Sequence, residues 1–424
     1  MWSASNSFEV SRKPYISRRD TCRLCSALHL DLVMQLTPTA LANAFVSADR
    51  LDEKQPTFPL DLFLCRSCGH LQLLDVVDPE ALFRDYLYVS STSPVFVEHF
   101  RNYADEVLAR LNLQKDSLVV EIGSNDGTLL RFFQERGMRV LGVDPARDIA
   151  KKATGEGVKT IPDFFSSQLA GEIKQEYGSA KLIVANNVFA HMDNLVEITQ
   201  GIRELLSGDG VFVFEVSYLV DVVEKVLFDT IYHEHLCYHS VKPLKVYFER
   251  QEMELIDTER VPSHGGSLRA TAQLAGGARK VSASVAQMIS LEEELALQQP
   301  ETFRSFARRI EQVKTRLNTL LLDLKSQDKS IAAYGAPAKA TTLLYQFNLG
   351  DLLDFIVDDS PLKQNLFSPG HHLPVLPAQA IYDQKPDYLL ILAWNFSEPI
   401  MGKHHAFLEQ GGHFIIPLPE VRMV

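Results

Sequence analysis

The chain reads as an α/β protein. Three observations predict this. Strand-length apolar runs alternate with helical patterns, acidic or glycine-bearing turns follow the strands, and the alternation occurs twice, at about 100–270 and about 325–424. With 424 residues and about 150 residues per domain, two to four domains are expected. Hydrophobic residues at 46% and charged residues at 23% exclude wholesale disorder. A net charge of −12 argues against broad phosphate-backbone binding, leaving only a local basic channel open. No apolar run approaches the roughly 20 residues that span a bilayer. The stretch Met1–Asp20 has no apolar h-region, so no signal peptide and a cytoplasmic location are expected.

Taken in order, the first chemical signal is a pair of knuckles, Cys22-Arg-Leu-Cys25 and Cys65-Arg-Ser-Cys68, with 39 residues between them. Each knuckle places two thiolates close together, and two knuckles supply a tetrahedral S₄ set that suits Zn²⁺. A redox Cys-x-x-Cys competes, but two pairs without a thioredoxin-like context favour metal. Four protein ligands leave no open position, so such a site is structural. Gly69 supplies a permissive residue after the second knuckle.

From Ser117 the pattern becomes βαβ. Ser117–Ile122 predicts a strand, 121–127 a turn, and Thr128–Arg136 a helix. Further strands are predicted at Met138–Val143, Lys181–Asn186 and Val211–Val216. Apolar residues Phe303, Phe306, Ile310, Val313, Leu317, Leu320, Leu321 and Leu324 recur at three and four, the face of a long connecting helix with Pro300 in its first turn. Beyond it, strands are predicted at Lys329–Tyr334, Leu352–Val357, Asp387–Ala393 and His413–Ile416, and a helix at Ala340–Phe347.

The turn after the first βαβ strand reads Glu121-Ile-Gly123-Ser-Asn125-Asp-Gly127. A glycine there lets backbone approach a ligand, and the helix start offers free N–H groups. Asp144, about 20 residues on and followed by Pro145, is placed to accept hydrogen bonds from ribose hydroxyls. A dinucleotide pyrophosphate wants G-x-G-x-x-G and no adjacent acid. Here Glu121 and Asp126 would repel it but tolerate the ammonium and sulfonium of S-adenosylmethionine, the cofactor expected. Asp163 and Phe164 suit the adenine amino group and ring face. Asn186 and Asn187 end the fourth strand at the ligand-binding edge of the sheet, and His191 follows them.

The segment Ile231-Tyr-His-Glu-His-Leu-Cys-Tyr-His239 holds four imidazole or carboxylate groups within seven residues. If extended, it places His233, His235, Cys237 and His239 on one face, a possible metal set. Ligands two apart on one strand rarely converge on one ion, and no HExxH spacing is present. Acid–base chemistry, with a histidine tuned by Glu234 and a phenol nearby, is favoured.

These motifs, in this succession, resemble the three-domain S-adenosylmethionine-dependent sugar C-methyltransferases of deoxysugar biosynthesis. They carry the resemblance together with Tyr86-x-Tyr88-x-Ser90-Ser91, His264-Gly265-Gly-Ser-Leu-Arg269, Tyr334-Gly335-Ala-Pro-Ala-Lys339 and Asp358-Asp-Ser-Pro-Leu-Lys363-Gln364. The resemblance covers nearly the whole chain after Asp20. It implies a zinc-binding domain (1–80), a central Rossmann-like methyltransferase domain (81–282), and a linker helix with a C-terminal Rossmann-like domain that binds a nucleotide sugar (283–424). It implies methylation of a ring carbon beside the ketone of a nucleotide-linked 4-keto sugar, usually dTDP-linked, through an enolate. His235 is then the candidate base, with Tyr232 and Glu234 orienting it or polarising the substrate. Tyr86 and His191 line the same pocket. On the substrate side stand His264, Gly265, Tyr334, Gly335, Lys339, Asp358 and Lys363. Ala340 replaces a glycine common in the family, and Gln346 sits in a departing helix, which bears on the nucleotide and sugar.

The expected partner is the nucleotide-linked keto sugar, without nucleic acid or membrane, for a monomer or weak homo-oligomer. Two other functions compete: methylation of another small molecule or of RNA, with the zinc module as docking element, and a dehydrogenase, which an incomplete G-x-G-x-x-G at Gly335 disfavours.

Overall fold

The computed structural model describes residues 15–84, 86 and 89–424. Tyr88 and most of the stretch read for a signal peptide lie outside them.

The N-terminal unit is a small antiparallel assembly. Strands β1 (Ile16–Arg18), β2 (Leu30–Thr39), β3 (Phe58–Cys65), β4 (Leu71–Leu73) and β5 (Asp75–Val77) follow one another. β1 pairs with β5, and β2, β3 and β4 form a meander. Alternate residues Leu60, Leu62 and Leu64 of β3 are fully buried, the period-two pattern of a sheet with a core face.

The central unit contains β6 (Leu118–Ile122), β7 (Arg139–Val143), β8 (Thr160–Ile161), β9 (Ala180–Asn186), β10 (Leu206–Ser217), β11 (Cys237–Tyr238), β12 (Met253–Val261) and β13 (Ser267–Leu274). Seven of them form one sheet in the order β12-β13-β10-β9-β6-β7-β8. β6 to β10 run parallel, while β13 is antiparallel to both β10 and β12. All five residues of β6 are buried, as expected of a parallel strand covered on both faces. The chain leaves β6 towards β7 and returns to its other side with β9, which opens a crevice at the carboxyl ends of these strands. β11 belongs elsewhere: it is the edge strand of the N-terminal sheet, paired with β4.

The C-terminal unit repeats the device with β14 (Ile331–Tyr334), β15 (Ile356–Val357), β16 (Val375–Leu376), β17 (Tyr388–Ile391), β18 (His413–Ile416) and β19 (Arg422–Met423), in the order β16-β15-β14-β17-β18-β19. The helix Pro300–Ser326 leads into it and buries Phe303, Phe306, Ile310, Val313, Leu317, Leu321 and Leu324, the predicted stripe with Leu320 at its edge. One buried apolar cluster runs through all three units, from Leu62 through Phe214 and Phe306 to Ile415.

One predicted strand is corrected, and one conditional reading is settled. Leu352–Val357 shortens to β15 because Gly350–Leu352 coils into a 3₁₀ turn and the Asp354 carboxylate accepts the Ile331 N–H. The segment 231–239 is not extended. It turns at 232–235, closed by the His235 N–H to the Tyr232 carbonyl (2.9 Å), and only Cys237–Tyr238 is strand. Its histidines therefore do not share one face. Among the described residues no helix is long and apolar enough to cross a membrane.

Candidate active site

The four knuckle sulfurs lie within 4.8 Å of one another. Cys22 and Cys68 are 3.6 Å apart, Cys25 and Cys65 3.5 Å. A tetrahedral site with Zn–S of about 2.3 Å needs S···S of about 3.8 Å, so the set fits Zn²⁺. Both knuckles are backbone-closed, by Ser26 N–H to Cys22 O and Gly69 N–H to Cys65 O, and Gly69 takes the φ of +79° that the second turn requires. Cys237 stays outside the set.

A cavity of about 320 Å³ opens where the central crevice meets the other two units. Its first wall is the turn after β6. Gly123 adopts φ +71°, and a Cβ there would collide with the Val188 side chain, so only glycine lets the turn lie this close. Asp144, at the end of β7, accepts the Asn125 N–H (2.7 Å) and the Ala146 N–H (2.9 Å), and burial raises its pKa. Asn125 accepts the Ser90 N–H (2.9 Å). Gly123, Asn125, Asp144, Pro145, Asn186 and Asn187 all line the cavity. Both amide atoms of buried Asn186 lack a protein partner, as does Glu121 Oε2 behind the turn. Burial and the nearby carboxylates of Asp144 and Asp126 hold Glu121 well above the usual range. These orphaned polar atoms fit the amino-acid and ribose groups of S-adenosylmethionine, with Asp144 and Asn186 the residues that would hold it.

Besides Glu121, three predicted cofactor residues stand back from the cavity. Gly127 packs on Val158, where a Cβ would meet that side chain at 2.9 Å. Asp163 faces Arg84 (3.4 Å), whose guanidinium lies over the Phe164 ring at 4.6 Å. Arg84 thus covers one face of that ring.

The second wall carries the histidines. His235 Nδ1 lies 2.7 Å from the Thr230 carbonyl. A carbonyl only accepts, so Nδ1 carries the proton and Nε2 is the ring's acceptor. Desolvation lowers the His235 pKa to about 4, so the ring is neutral at physiological pH. His191 stacks on His235 (centroids 5.0 Å) and on Phe83 (5.7 Å), and Tyr232 packs on the His235 ring at 4.1 Å. Glu234 does not tune His235 as expected. Its Oε2 accepts the Tyr86 hydroxyl (2.8 Å) and its Oε1 accepts the Asn43 amide (2.8 Å), while burial raises its pKa to about 7. His233 is buried against the Phe58 carbonyl (3.2 Å) and His239 stacks on His70 (5.4 Å), both outside the cavity.

The third wall comes from the C-terminal unit. Lys339 and Lys363 line the cavity, but neither is an isolated charge. Lys339 Nζ is 3.2 Å from Asp229 Oδ2 and Lys363 donates to the Ala336 carbonyl (2.9 Å); desolvation lowers both pKa values. Asp358 turns inward to accept the Ala336 N–H (2.6 Å) and the Ser360 N–H (2.8 Å), so it braces the loop. Tyr334 donates to Asp359 (2.8 Å), and Gly335 packs on Ala393. His264 lines the cavity 4.3 Å from the Phe96 ring, its pKa lowered to about 3 by burial, whereas Gly265 does not reach it. Gln346 bonds the Thr37 N–H (2.8 Å), tying this unit to the N-terminal sheet.

Asn43, Phe96, Thr230 and Asn395 also line the cavity and were not legible as site residues, and Ser90 lines it from a motif in which it was given no role. Asn43 and Asn395 lie in no motif. Asp229 carried a weak signal, a carboxylate in an otherwise apolar run before the histidines.

Comparison with known proteins adds three matches to family models. Residues 22–83 match a zinc binding domain, residues 96–258 a methyltransferase domain, and residues 262–419 a C-methyltransferase C-terminal domain. The C-methyltransferase NovU of Streptomyces niveus is 36% identical over 406 residues, covering 96% of this chain and 97% of that protein. Among solved structures, magnesium protoporphyrin IX methyltransferase of Synechocystis PCC 6803 with bound S-adenosylmethionine aligns at 14% identity and TM-score 0.33, covering 45% of this chain and 86% of that one. The PH0226 protein of Pyrococcus horikoshii aligns at 12% identity and TM-score 0.35, covering 46% and 97%.

Proposed function

We propose that this chain, which belongs to the three-domain S-adenosylmethionine-dependent C-methyltransferases, methylates a ring carbon beside the ketone of a nucleotide-linked 4-keto-deoxysugar, dTDP-linked by preference. The observation that carries this reading is the three-walled cavity: Asp144 and Asn186 on one side, His235 with His191 and Tyr232 on another, and Lys339 with Lys363 on the third. A saturated ring carbon is a poor nucleophile until a neighbouring ketone acidifies its C–H, and a keto sugar supplies that activation.

Bound S-adenosylmethionine supplies an electrophilic methyl group. The chain's own residues prepare the carbon. His235 Nε2 takes the proton from the acidified C–H, and the bonding pair passes into the enolate. Because the ring is held neutral, the base form is present at physiological pH. The enolate oxygen needs donors in place as charge develops. His191, stacked on His235 and with its Nε2 unpartnered in the protein, is the group assigned to it, while Tyr86, whose hydroxyl hydrogen goes to Glu234, shapes the same pocket. A cavity between units excludes water and holds the acceptor in register. Lys339 and Lys363 give the diphosphate its only nearby positive charge among the described cavity-lining residues. The functional division is 1–80 for the zinc unit, 81–282 for methyl transfer and 283–424 for the nucleotide sugar, with β11 lent back to the first.

Incubation with S-adenosylmethionine and a panel of dTDP-4-keto sugars, read by mass spectrometry, should add one methyl group to at least one sugar. In D₂O the ring proton beside the ketone should wash out in wild type. Methylation of RNA and of no sugar would overturn the reading.

A further inference from the structure

The catalytic turn is held from outside its own unit. Asp229 is fully buried. Its Oδ2 receives the Trp394 Nε1–H at 2.6 Å and lies 3.2 Å from Lys339 Nζ, which also sits 4.3 Å over the Trp394 ring. Two residues on, the Ile231 carbonyl accepts the Thr342 hydroxyl at 2.7 Å. Between these two fastenings lies the Thr230 carbonyl, the one that receives the His235 Nδ1–H. The Thr230 hydroxyl closes on the Leu227 carbonyl at 2.7 Å, so it does not share in that contact. The turn itself is a single 3₁₀ turn, Phe228–Thr230, with no side-chain cap of its own. Lys339, Thr342 and Trp394 all come from the C-terminal unit.

We propose that Asp229 is a positioning residue: through it, Lys339 and Trp394 fix the peptide plane at Thr230, and that carbonyl fixes which nitrogen of His235 can accept a proton. If the plane turned over, a peptide N–H would face the ring in place of the carbonyl, and Nδ1 would become the acceptor. The contact chain also gives Lys339 a second partner besides the substrate, so filling of the C-terminal wall is felt at the base. The proposal rests on the reading of His235 as base, and its test separates the two.

The test uses full-length protein carrying ¹⁵N-labelled histidine, with the His235 signals assigned by their loss in His235→Asn. Wild type should show His235 as the Nδ1–H tautomer. Asp229→Ala should shift it to a mixture of tautomers and lower kcat about tenfold or more, with the KM for S-adenosylmethionine unchanged. Asp229→Asn, which still accepts from Trp394, should recover part of both. Trp394→Phe removes one donor and no charge, and it decides the matter where Asp229→Ala does not fold. An unchanged tautomer and kcat in Trp394→Phe and in the folded Asp229 variants would overturn the proposal. A shifted tautomer, together with an active His235→Asn enzyme, would keep the positioning role and remove the base assignment instead.

Discussion

The two principal walls of the cavity are built by opposite means. The cofactor wall is local. Gly123, Asn125, Asp144 and Asn186 sit at the ends of adjacent parallel strands, and Asp144 is tied to Asn125 by one carboxylate–amide bond. The catalytic wall is assembled from distance. Glu234 is satisfied by Asn43 and Tyr86, 191 and 148 residues away in sequence, and Asp229 Oδ2 is bonded by Trp394, 165 residues away. A local wall survives when the flanking units loosen; an assembled one does not. Damage to the N-terminal or C-terminal unit should therefore abolish methyl transfer while leaving cofactor binding in place.

Cys22→Ser tests this most severely. Structural zinc contributes on the order of 10 kcal/mol of folding free energy in small metal domains, and β11 joins the catalytic turn to that sheet. Loss of metal, a lower unfolding temperature and lost methyl transfer are expected, with S-adenosylmethionine still bound in calorimetry; a stable, metal-replete variant would reject the S₄ site. His235→Asn should come next, lowering kcat on the order of 10³-fold with cofactor affinity unchanged. Retained turnover there would move the base to another group. Asp144→Ala probes the other wall. Loss of a buried carboxylate that aligns the turn should weaken S-adenosylmethionine binding by roughly 10²-fold, through hydrogen bonds to a charged group worth about 1.5–3 kcal/mol each. A change confined to sugar affinity would exchange the two walls. Asn43→Ala leaves Glu234 Oε1 unpaired and should lower kcat about tenfold, with little effect on cofactor affinity. An equal loss of both would show that the walls are not separable.

The smallest effect is on pH dependence. His233 and His239 are buried, with pKa values lowered to about 4. Such groups bind more protons unfolded than folded, so their stabilising contribution is complete above about pH 6.5 and is lost as pH falls towards 4. The slope is at most about 1.4 kcal/mol per pH unit for each. Glu234, raised to about 7, acts in the opposite sense, costing stability as pH rises from the unfolded carboxylate value towards 7. Denaturant melts from pH 7 to pH 4 should show falling stability, and His239→Asn should flatten the curve. A flat wild-type curve would show that these rings are not buried neutral.

The segment 231–239 shows where sequence reasoning stopped. Its composition marked it as reactive, and the histidine singled out does line the cavity. The expected link between Glu234 and His235 did not form, because the chain turns at 232–235 and sends consecutive side chains to different neighbours. Asp163 with Phe164, and Asp358, were chosen for their chemical types; in the fold Arg84 lies against the first two, and the Ala336 and Ser360 N–H groups bond the third. The helix Pro300–Ser326 came out as its apolar stripe required.

From the sequence alone came whatever depends on neighbours along the chain: the cysteine knuckles, the strand–turn–helix around Gly123, and the acid that ends β7. Short-range spacing and backbone conformation dictate those. Which side chains meet across the cavity was decided only by the packing of three units on one another. A hydrogen bond between residues 43 and 234, or 229 and 394, has no trace in local pattern and exists only once the intervening core is built.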